Sequence, residues 1–344
     1  MLGIKIGIDL GSSTVLALTE GKGIVISEPS VIAYDTFSGK IKAIGKEAYK
    51  MLGRSPDSLT VVQPIKDGVI YNYDAVQQML SYYIQKLCGN RILKPNVIIC
   101  VPSSVTELEK KSFLDLVTSS GASRACVIEE SLAAALGAGI ETGEHKGTMI
   151  VDIGGGKTDL AIVTRGCVAL SNTINIAGNS FDEAICCFVK NEYEVILGNM
   201  SAEKIKKQVG AVQMLDAELA VRAVGQDSQT KMPKPVEVTS TDIYCCLKEP
   251  LDKICESIKE LLAETPPELV ADVSSNGIVL TGGSALLRGI DKYIADKTGL
   301  RVRCAEKPIQ CVVNGIGIML KDMTLLSENG YVFKSIMDID DYEE

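Results

Sequence analysis

Apolar residues occupy alternate positions at the start of the chain. Ile4, Ile6 and Ile8 are separated by Lys5 and Gly7, the period of a β-strand. Asp9-Leu10-Gly11-Ser12-Ser13 breaks the run, and Thr14 to Leu18 reads as a returning strand. The unit is a hairpin with a turn rich in Gly and Ser. It recurs 143 positions later, counted from Asp9 to Asp152. Met149 to Ile153 is the strand, Gly154-Gly155-Gly156-Lys157 the turn, and Thr158 to Val163 the return. That spacing is too long for a solenoid repeat. It predicts two similar domains, each opening on the same hairpin.

The intervening pattern alternates strands with helices. Gly23 to Tyr34 reads as extended, and residues 35–66, poor in long apolar runs, read as a small inserted subdomain. From Asp74, a helix places Val76, Met79, Leu80, Tyr83 and Leu87 on one face. Val97 to Val101 is a short buried strand stopped by Pro102, a helix covers about 105–120, Ala125 to Ile128 is a strand, and Ser131 to Ala138 is Ala-rich and helical. The second half repeats this order with a longer insert. Ser180 and Glu183 read as a capping box, and Ser201 starts a helix carrying Glu203, Lys204 and Lys206. Residues 225–237, with Gly225, Pro233 and Pro235, read as a loop. Asp242 to Ala263 is a long amphipathic helix, and Gly277 to Leu280 is a strand running into Thr281-Gly282-Gly283-Ser284-Ala285-Leu286-Leu287. The whole reads as α/β.

Composition narrows the classes. The 344 residues suffice for two domains with their own cores, and the absence of Trp leaves Ile, Val, Leu and Ala to fill them. A net charge of −9 argues against a broad nucleic-acid surface. The acidic end, Asp338 to Glu344, reads as a solvated tail. Eleven Cys without a C-x-x-C pair read as small buried hydrophobes in a reducing cytosol, not as zinc ligands. Lys5 and Asp9 interrupt the first apolar stretch, so no secretory signal is expected, and no run reaches the length of a spanning helix.

Two Gly/Ser hairpins, each preceded by an Asp, suit a nucleoside triphosphate. Small residues let backbone N–H groups approach phosphate oxygens, and Ser12, Ser13, Thr14 and Thr158 can add hydroxyls. Asp9 and Asp152 can hold waters around a Mg²⁺. The 281–287 segment can lie against an adenine, with phosphate favoured at its helix start. Glu130 can orient a water for attack on a γ-phosphate, or simply favour a helix N-terminus. Neither a Walker A loop nor a G-x-G-x-x-G fingerprint is present.

The segments I-D-L-G-S-S-T (8–14), V-I-E-E-S-L-A-A-A-L-G-A-G (127–139), V-D-I-G-G-G-K-T (151–158), E-K-I-K (203–206) and L-T-G-G-S-A-L-L-R-G (280–289) resemble the actin, heat-shock chaperone and sugar kinase superfamily. Within it the chain resembles the MreB/Mbl family, through further pieces such as G-I-V-I-S-E-P-S-V-I-A (23–33), M-L-G-R-S-P (51–56), K-D-G-V-I (66–70), F-D-E-A-I (181–185) and P-P-E-L (266–269). The resemblance implies an actin-like ATPase fold of two duplicated ribonuclease-H-like domains, each with a smaller inserted subdomain. Its division would be domain IA at 1–32, 66–145 and 315–344, IB at 33–65, IIA at 146–181 and 243–314, and IIB at 182–242. It also implies ATP with Mg²⁺ between the domains, weak ATPase activity and head-to-tail filaments. These would lie on the cytoplasmic face of the membrane and organise cell-wall synthesis and cell shape.

By position, Ser12, Ser13 and Thr14 match the first phosphate loop, and Gly154, Gly155, Gly156 and Lys157 the second. Glu203, Lys204, Ile205 and Lys206 match the nucleoside segment, and Gly282, Gly283, Ser284 and Ala285 the adenosine turn. Glu130 matches the water-positioning acid, with Thr158 beside the transferred phosphate, and Asp9 and Asp152 match the magnesium-side acids. Three departures mark a divergent paralogue. Ser131 stands where the family has Pro, Lys157 where it has Thr, and Ser284 where it has Gly. Lys157 puts an ammonium where a hydroxyl is usual, which predicts slowed hydrolysis. Only Met1, Leu2 and Gly3 precede the first strand, too few for the amphipathic N-terminal helix of some family members. The resemblance then implies membrane contact through a short apolar loop, which Ile92-Leu93 between Arg91 and Lys94 fits; the alternative is that these two side chains pack under the adjacent strand. The competing reading is a kinase of sugars or other small metabolites, for which no substrate-facing Asp is evident. A chaperone-type ATPase would need a peptide-binding domain after position 320.

Overall fold

In a computed structural model, the opening alternation becomes β1 (Lys5–Leu10) antiparallel to β2 (Thr14–Thr19), with Asp9 opposite Leu16. The structure describes residues 3–66, 68–141, 143, 145–328, 330–335 and 338. Met1, Leu2, Asp67 and residues 339–344 of the acidic end lie outside these. The chain divides into two units. One is Met1–Lys146, Ala161–Thr173 and Ile309–Glu344, and the other is Gly147–Leu160 and Ile174–Pro308.

In the first unit, β3 (Gly23–Pro29) extends the hairpin, and β4 (Ile32–Asp35), β5 (Ile41–Ile44), α1 (Lys46–Met51) and β6 (Leu59–Val62) form a small insert with its own three-stranded sheet. The ribbon β7 (Ile65–Lys66) and β8 (Val69–Ile70) leads to α2 (Tyr73–Cys88). Asn72 caps α2 by accepting from the Ala75 N–H. β9 (Asn96–Val101), α3 (Glu107–Ser119), β10 (Arg124–Glu129) and α4 (Glu130–Gly137) follow. The sheet order is β10-β9-β1-β2-β3, with β1, β9 and β10 parallel. Ile6, Ile8, Val97 and Ile99 pack with Met79, Leu80, Tyr83, Leu116 and Val117 in one buried core. The five apolar positions expected on one face of α2 are all buried.

The second hairpin is β11 (Thr148–Ile153) and β12 (Thr158–Thr164), followed by β13 (Cys167–Ile174), α5 (Gly178–Tyr193), β14 (Val195–Ile196) and α6 (Asn199–Val209). Next come β15 (Ala220–Asp227), β16 (Pro233–Thr239), α7 (Ser240–Glu264), α8 (Pro267–Asn276) and β17 (Ile278–Thr281). A 3-10 turn (Gly283–Leu286), α9 (Ile290–Thr298) and β18 (Val302–Cys304) complete the series. The strand order β13-β12-β11-β17-β18 mirrors that of the first sheet. β11 lies parallel to β17 and β17 to β18, and Phe181, Ile185, Ile243 and Leu247 are among the buried residues of α5 and α7.

Three readings of the sequence are corrected. Residues 225–237 are not a loop: β15 and β16 form an antiparallel hairpin in which Pro235 faces Val224 and Pro233 faces Gln226. β16 is the edge of its sheet, and Pro233 and Pro235 share one parity. Their nitrogens, which carry no hydrogen, can therefore point off that edge without costing a ladder bond. Ser180 is not an N-cap, because α5 begins at Gly178, and the Ser180 hydroxyl donates to the Asn175 carbonyl. The true capping box of this half is at Thr239 and Asp242, which opens α7. Nor are the cysteines uniformly buried, since Cys167, Cys187, Cys245 and Cys304 are exposed.

The chain then returns to the first unit as α10 (Cys311–Lys321) and α11 (Met323–Glu328). α10 packs on α4 at very close range. A Cβ added at Gly315 would lie 1.8 Å from the Ala133 carbonyl oxygen. The small residues Ala133, Ala134 and Ala135 of α4 are all buried. This contact fixes the helix that begins with Glu130.

Candidate phosphate and nucleoside site

The two hairpins close in the same way. The Gly11 N–H donates to the Thr14 carbonyl at 3.1 Å, and the Gly154 N–H donates to the Lys157 carbonyl at 3.0 Å. Asp9, Gly11 and Thr14 therefore correspond to Asp152, Gly154 and Lys157.

In the first unit, the buried Ser12 hydroxyl accepts from the Gly68 N–H at 2.9 Å. The Ser13 carbonyl accepts from the Ser30 N–H. Ser13, Thr14 and Asp9 are half-buried. Glu130 is the first residue of α4 and half-buried. Its neighbour Glu129 pairs with Lys110 at 3.0 Å and accepts from the Tyr331 hydroxyl.

In the second unit, the glycine turn is tied down by its carbonyls. Gly154 accepts from the Gly178 N–H at 3.1 Å and from the Ser284 hydroxyl at 2.9 Å, and Gly155 accepts from the Asn179 N–H at 2.7 Å. Binding the carbonyls on one side presents the opposite, N–H side of the turn, the arrangement that suits an anion. Thr158 is fully buried, and its hydroxyl donates to the Ile176 carbonyl at 2.6 Å. Asp152 is buried and accepts from the Thr281 hydroxyl at 2.9 Å. Burial, reinforced by Asp159, pushes its carboxyl up to about 6.

Gly282 lies at φ 84° and ψ 169°, a conformation nearly reserved for glycine. A Cβ there would lie 2.4 Å from the Ile153 carbonyl oxygen. Ser284 and Ala285 follow, buried in the 3-10 turn. On α6 the four nucleoside-segment residues part ways. Lys204 is exposed, Ile205 is core, and Glu203 pairs with Lys207 at 2.6 Å. Lys206 turns inward to the Gly178 carbonyl at 2.6 Å and to Asp182 at 2.8 Å. Burial pushes Asp182 up to about 6 despite that ammonium.

Gly178, Asn179, Asp182 and Asp159 thus line the candidate site, although sequence reasoning gave them no role in it, and Thr281, read as the start of the adenine segment, also holds Asp152. Asp182 lay inside the quoted F-D-E-A-I segment but was absorbed into a misplaced cap.

Over residues 3–328 the chain matches the family profile described as MreB/Mbl protein. The chain belongs to the MreB/Mbl family. It is 40% identical over 329 residues to the cell shape-determining protein Mbl of Bacillus subtilis (strain 168), spanning 95% of this chain and 98% of Mbl. It is 36% identical over 327 residues to the cell shape-determining protein MreB of Escherichia coli (strain K12), spanning 93% and 94% of the two chains. The crystal structure of MreB5 of Spiroplasma citri bound to AMPPNP superposes with a TM-score of 0.91 at 37% identity, covering 96% of this chain and 99% of that one. The fold is therefore the actin-like ATPase fold.

The three departures of this MreB/Mbl chain each have a local partner. Ser284 supplies the hydroxyl that holds the Gly154 carbonyl. Ser131 is fully buried, its hydroxyl against that of Ser103. Lys157 is buried and ion-paired with Asp159, itself almost wholly buried on β12.

Proposed function

We propose that this MreB/Mbl chain is an ATP-binding, actin-like subunit that polymerises on the cytoplasmic face of the membrane and organises cell-wall synthesis and cell shape. The reading is carried by the glycine turn at 154–157, whose carbonyls are fastened to Gly178, Asn179 and Ser284, in a chain whose relatives are named cell shape-determining proteins. Both hairpins offer turns suited to the phosphates of ATP. Ser12, Ser13 and Thr14 come from one, Gly154, Gly155, Gly156 and Lys157 from the other, and Gly282, Gly283, Ser284, Ala285 and Lys206 flank the nucleoside. Glu203 would close on the ribose side, and Ile205 would back the segment from the core. MreB5, bound to AMPPNP and ADP in two crystal structures, supports this assignment.

Among the described residues, no group of three or more His, Cys, Asp or Glu is placed to hold a metal ion. Asp9 and Asp152, each near the end of the first strand of its hairpin, are the residues that would hold waters around a Mg²⁺. The buried carboxyl of Asp152 fits such a cation, because a nearby positive charge would offset its burial. Bound there, Mg²⁺ would neutralise phosphate charge. Glu130 orients the attacking water at the start of α4, and Thr158 anchors the return strand through Ile176.

Subunits stack by a heterologous contact that does not close on itself, which generates filaments. Sedimentation across a concentration series, with ATP, with ADP and without nucleotide, tests the reading. Pelleting above a threshold concentration with ATP is the expected outcome. A protein that binds ATP yet stays in the supernatant at every concentration would not be a filament subunit.

A further inference from the structure

The family match ends at residue 328, yet the chain beyond it is not idle. Residues 330–335 lie along β10, the outer strand of the first sheet. The Ala125 N–H donates to the Lys334 carbonyl at 2.9 Å, and the Lys334 N–H donates back to the Ala125 carbonyl at 2.8 Å. Phe333 is buried. The segment is anchored at its start by the Tyr331 N–H, which donates to the Leu326 carbonyl at 2.9 Å. It thus covers a strand edge that would otherwise present unpaired backbone groups.

Covering an edge does not require Tyr331 to reach inward, but it does. Its hydroxyl donates to Glu129, the last residue of β10, whose carboxylate is also held by Lys110 at 3.0 Å. Burial and the neighbouring carboxylate both raise the Tyr331 phenol well above its ordinary range, so it stays a donor. Glu129 occupies the N-cap position of α4 but makes no side-chain cap bond. Its carboxylate is committed to Lys110 and Tyr331. The next residue is Glu130. The orientation of that side chain depends on the backbone at the β10–α4 junction, where this clamp holds Glu129, while α4 itself is packed at Ala133 against Gly315 of α10.

We propose that residues 330–335 form a positioning strap for ATP hydrolysis, in which Tyr331, acting through Glu129, fixes the backbone from which Glu130 is presented. The inference rests on the reading of Glu130 as the water-orienting acid. Tyr331 is a positioning residue and touches no reacting atom. A loosened junction displaces the attacking water, and small displacements of that kind are costly in rate. Nucleotide affinity, which depends on the hairpins, should be spared.

The full-length Tyr331→Phe variant keeps the ring and the Ala125–Lys334 bridge and loses only the hydroxyl. Phosphate release at saturating ATP should fall by roughly three- to tenfold, a loss of transition-state contacts rather than of uniform binding. The dissociation constant of a fluorescent ATP analogue and the melting temperature should match the parent. Combining Tyr331→Phe with Glu129→Gln should cost no more than Glu129→Gln alone. Parental turnover in Tyr331→Phe, or a loss that tracks equally in affinity and melting temperature, would overturn the strap. Glu130→Ala separates the two ideas. If it hydrolyses like the parent, the reading of Glu130 has failed and the strap falls with it. If it is inactive while Tyr331→Phe is parental, only the strap has failed.

Discussion

At the scale of single residues, Lys157 carries the sharpest consequence. Its position in the turn is the one held by Thr14 in the first hairpin, as the matching Gly11–Thr14 and Gly154–Lys157 bonds show. In the proposed site, an ammonium there would hold phosphate yet deny the γ-phosphate region a hydroxyl. The structure adds that this ammonium is also part of a buried charge group with Asp159 and, less directly, with Asp152. Lys157→Thr alone therefore does two things at once. Removing one partner of a buried pair costs roughly 3–5 kcal/mol, and it raises the local negative charge where phosphate must enter. The single variant should melt lower and bind ATP more weakly, which would mask any gain in chemistry. Lys157→Thr with Asp159→Asn removes both charges together and should recover most of the stability. Its phosphate release should exceed the parent's. Turnover equal to the parent's in a stable double variant would show that Lys157 does not restrain hydrolysis.

At the scale of elements, α4 shows what packing adds to a legible pattern. Its Ala-rich run and its place after Glu129-Glu130 were readable, but the helix that holds it was not. α10 is separated from α4 by more than 170 residues, and the two approach until Gly315 meets the Ala133 carbonyl. Gly315→Ala should force the helices apart. Overpacking of this kind costs about 1–3 kcal/mol, and the denaturant midpoint should fall accordingly, with an unchanged slope. A variant as stable as the parent would mean that the contact is looser than described.

The elements misread from sequence share a cause. Residues 225–237 carry two prolines, which argue for a loop until the strand is known to be an edge. Ser180 and Glu183 have the right spacing for a cap, but the start of α5 is fixed by Gly154 and Gly155, more than twenty residues upstream. In both cases a distant partner outweighed a local signal. Hairpins with Asp, Gly and hydroxyl residues were legible because their chemistry is local. Asp159, Asp182 and Tyr331 were not, because their meaning lies in what they touch.

At the scale of the whole molecule, the membrane attachment proposed for this chain has to work against its net negative charge. Among the described residues, no helix is long and apolar enough to cross a bilayer, and the net charge is −9. The candidate contact is the turn between α2 and β9, where Ile92 is 98% and Leu93 56% exposed. Arg91 and Lys94 beside them are exposed as well. Burying two such side chains in the interface gives about 1.5–3 kcal/mol each at most, too little to anchor a monomer against the general repulsion. A filament changes this, because each added subunit brings another turn and the second contact becomes intramolecular. Membrane binding should therefore follow polymerisation. With ATP, the parent should float with anionic liposomes, and without nucleotide it should not. The double variant Ile92→Ser, Leu93→Ser should still pellet with ATP in the absence of lipid but no longer float. Flotation undiminished in that variant would place the lipid contact elsewhere on the chain, and flotation of the monomer without nucleotide would remove the need for avidity.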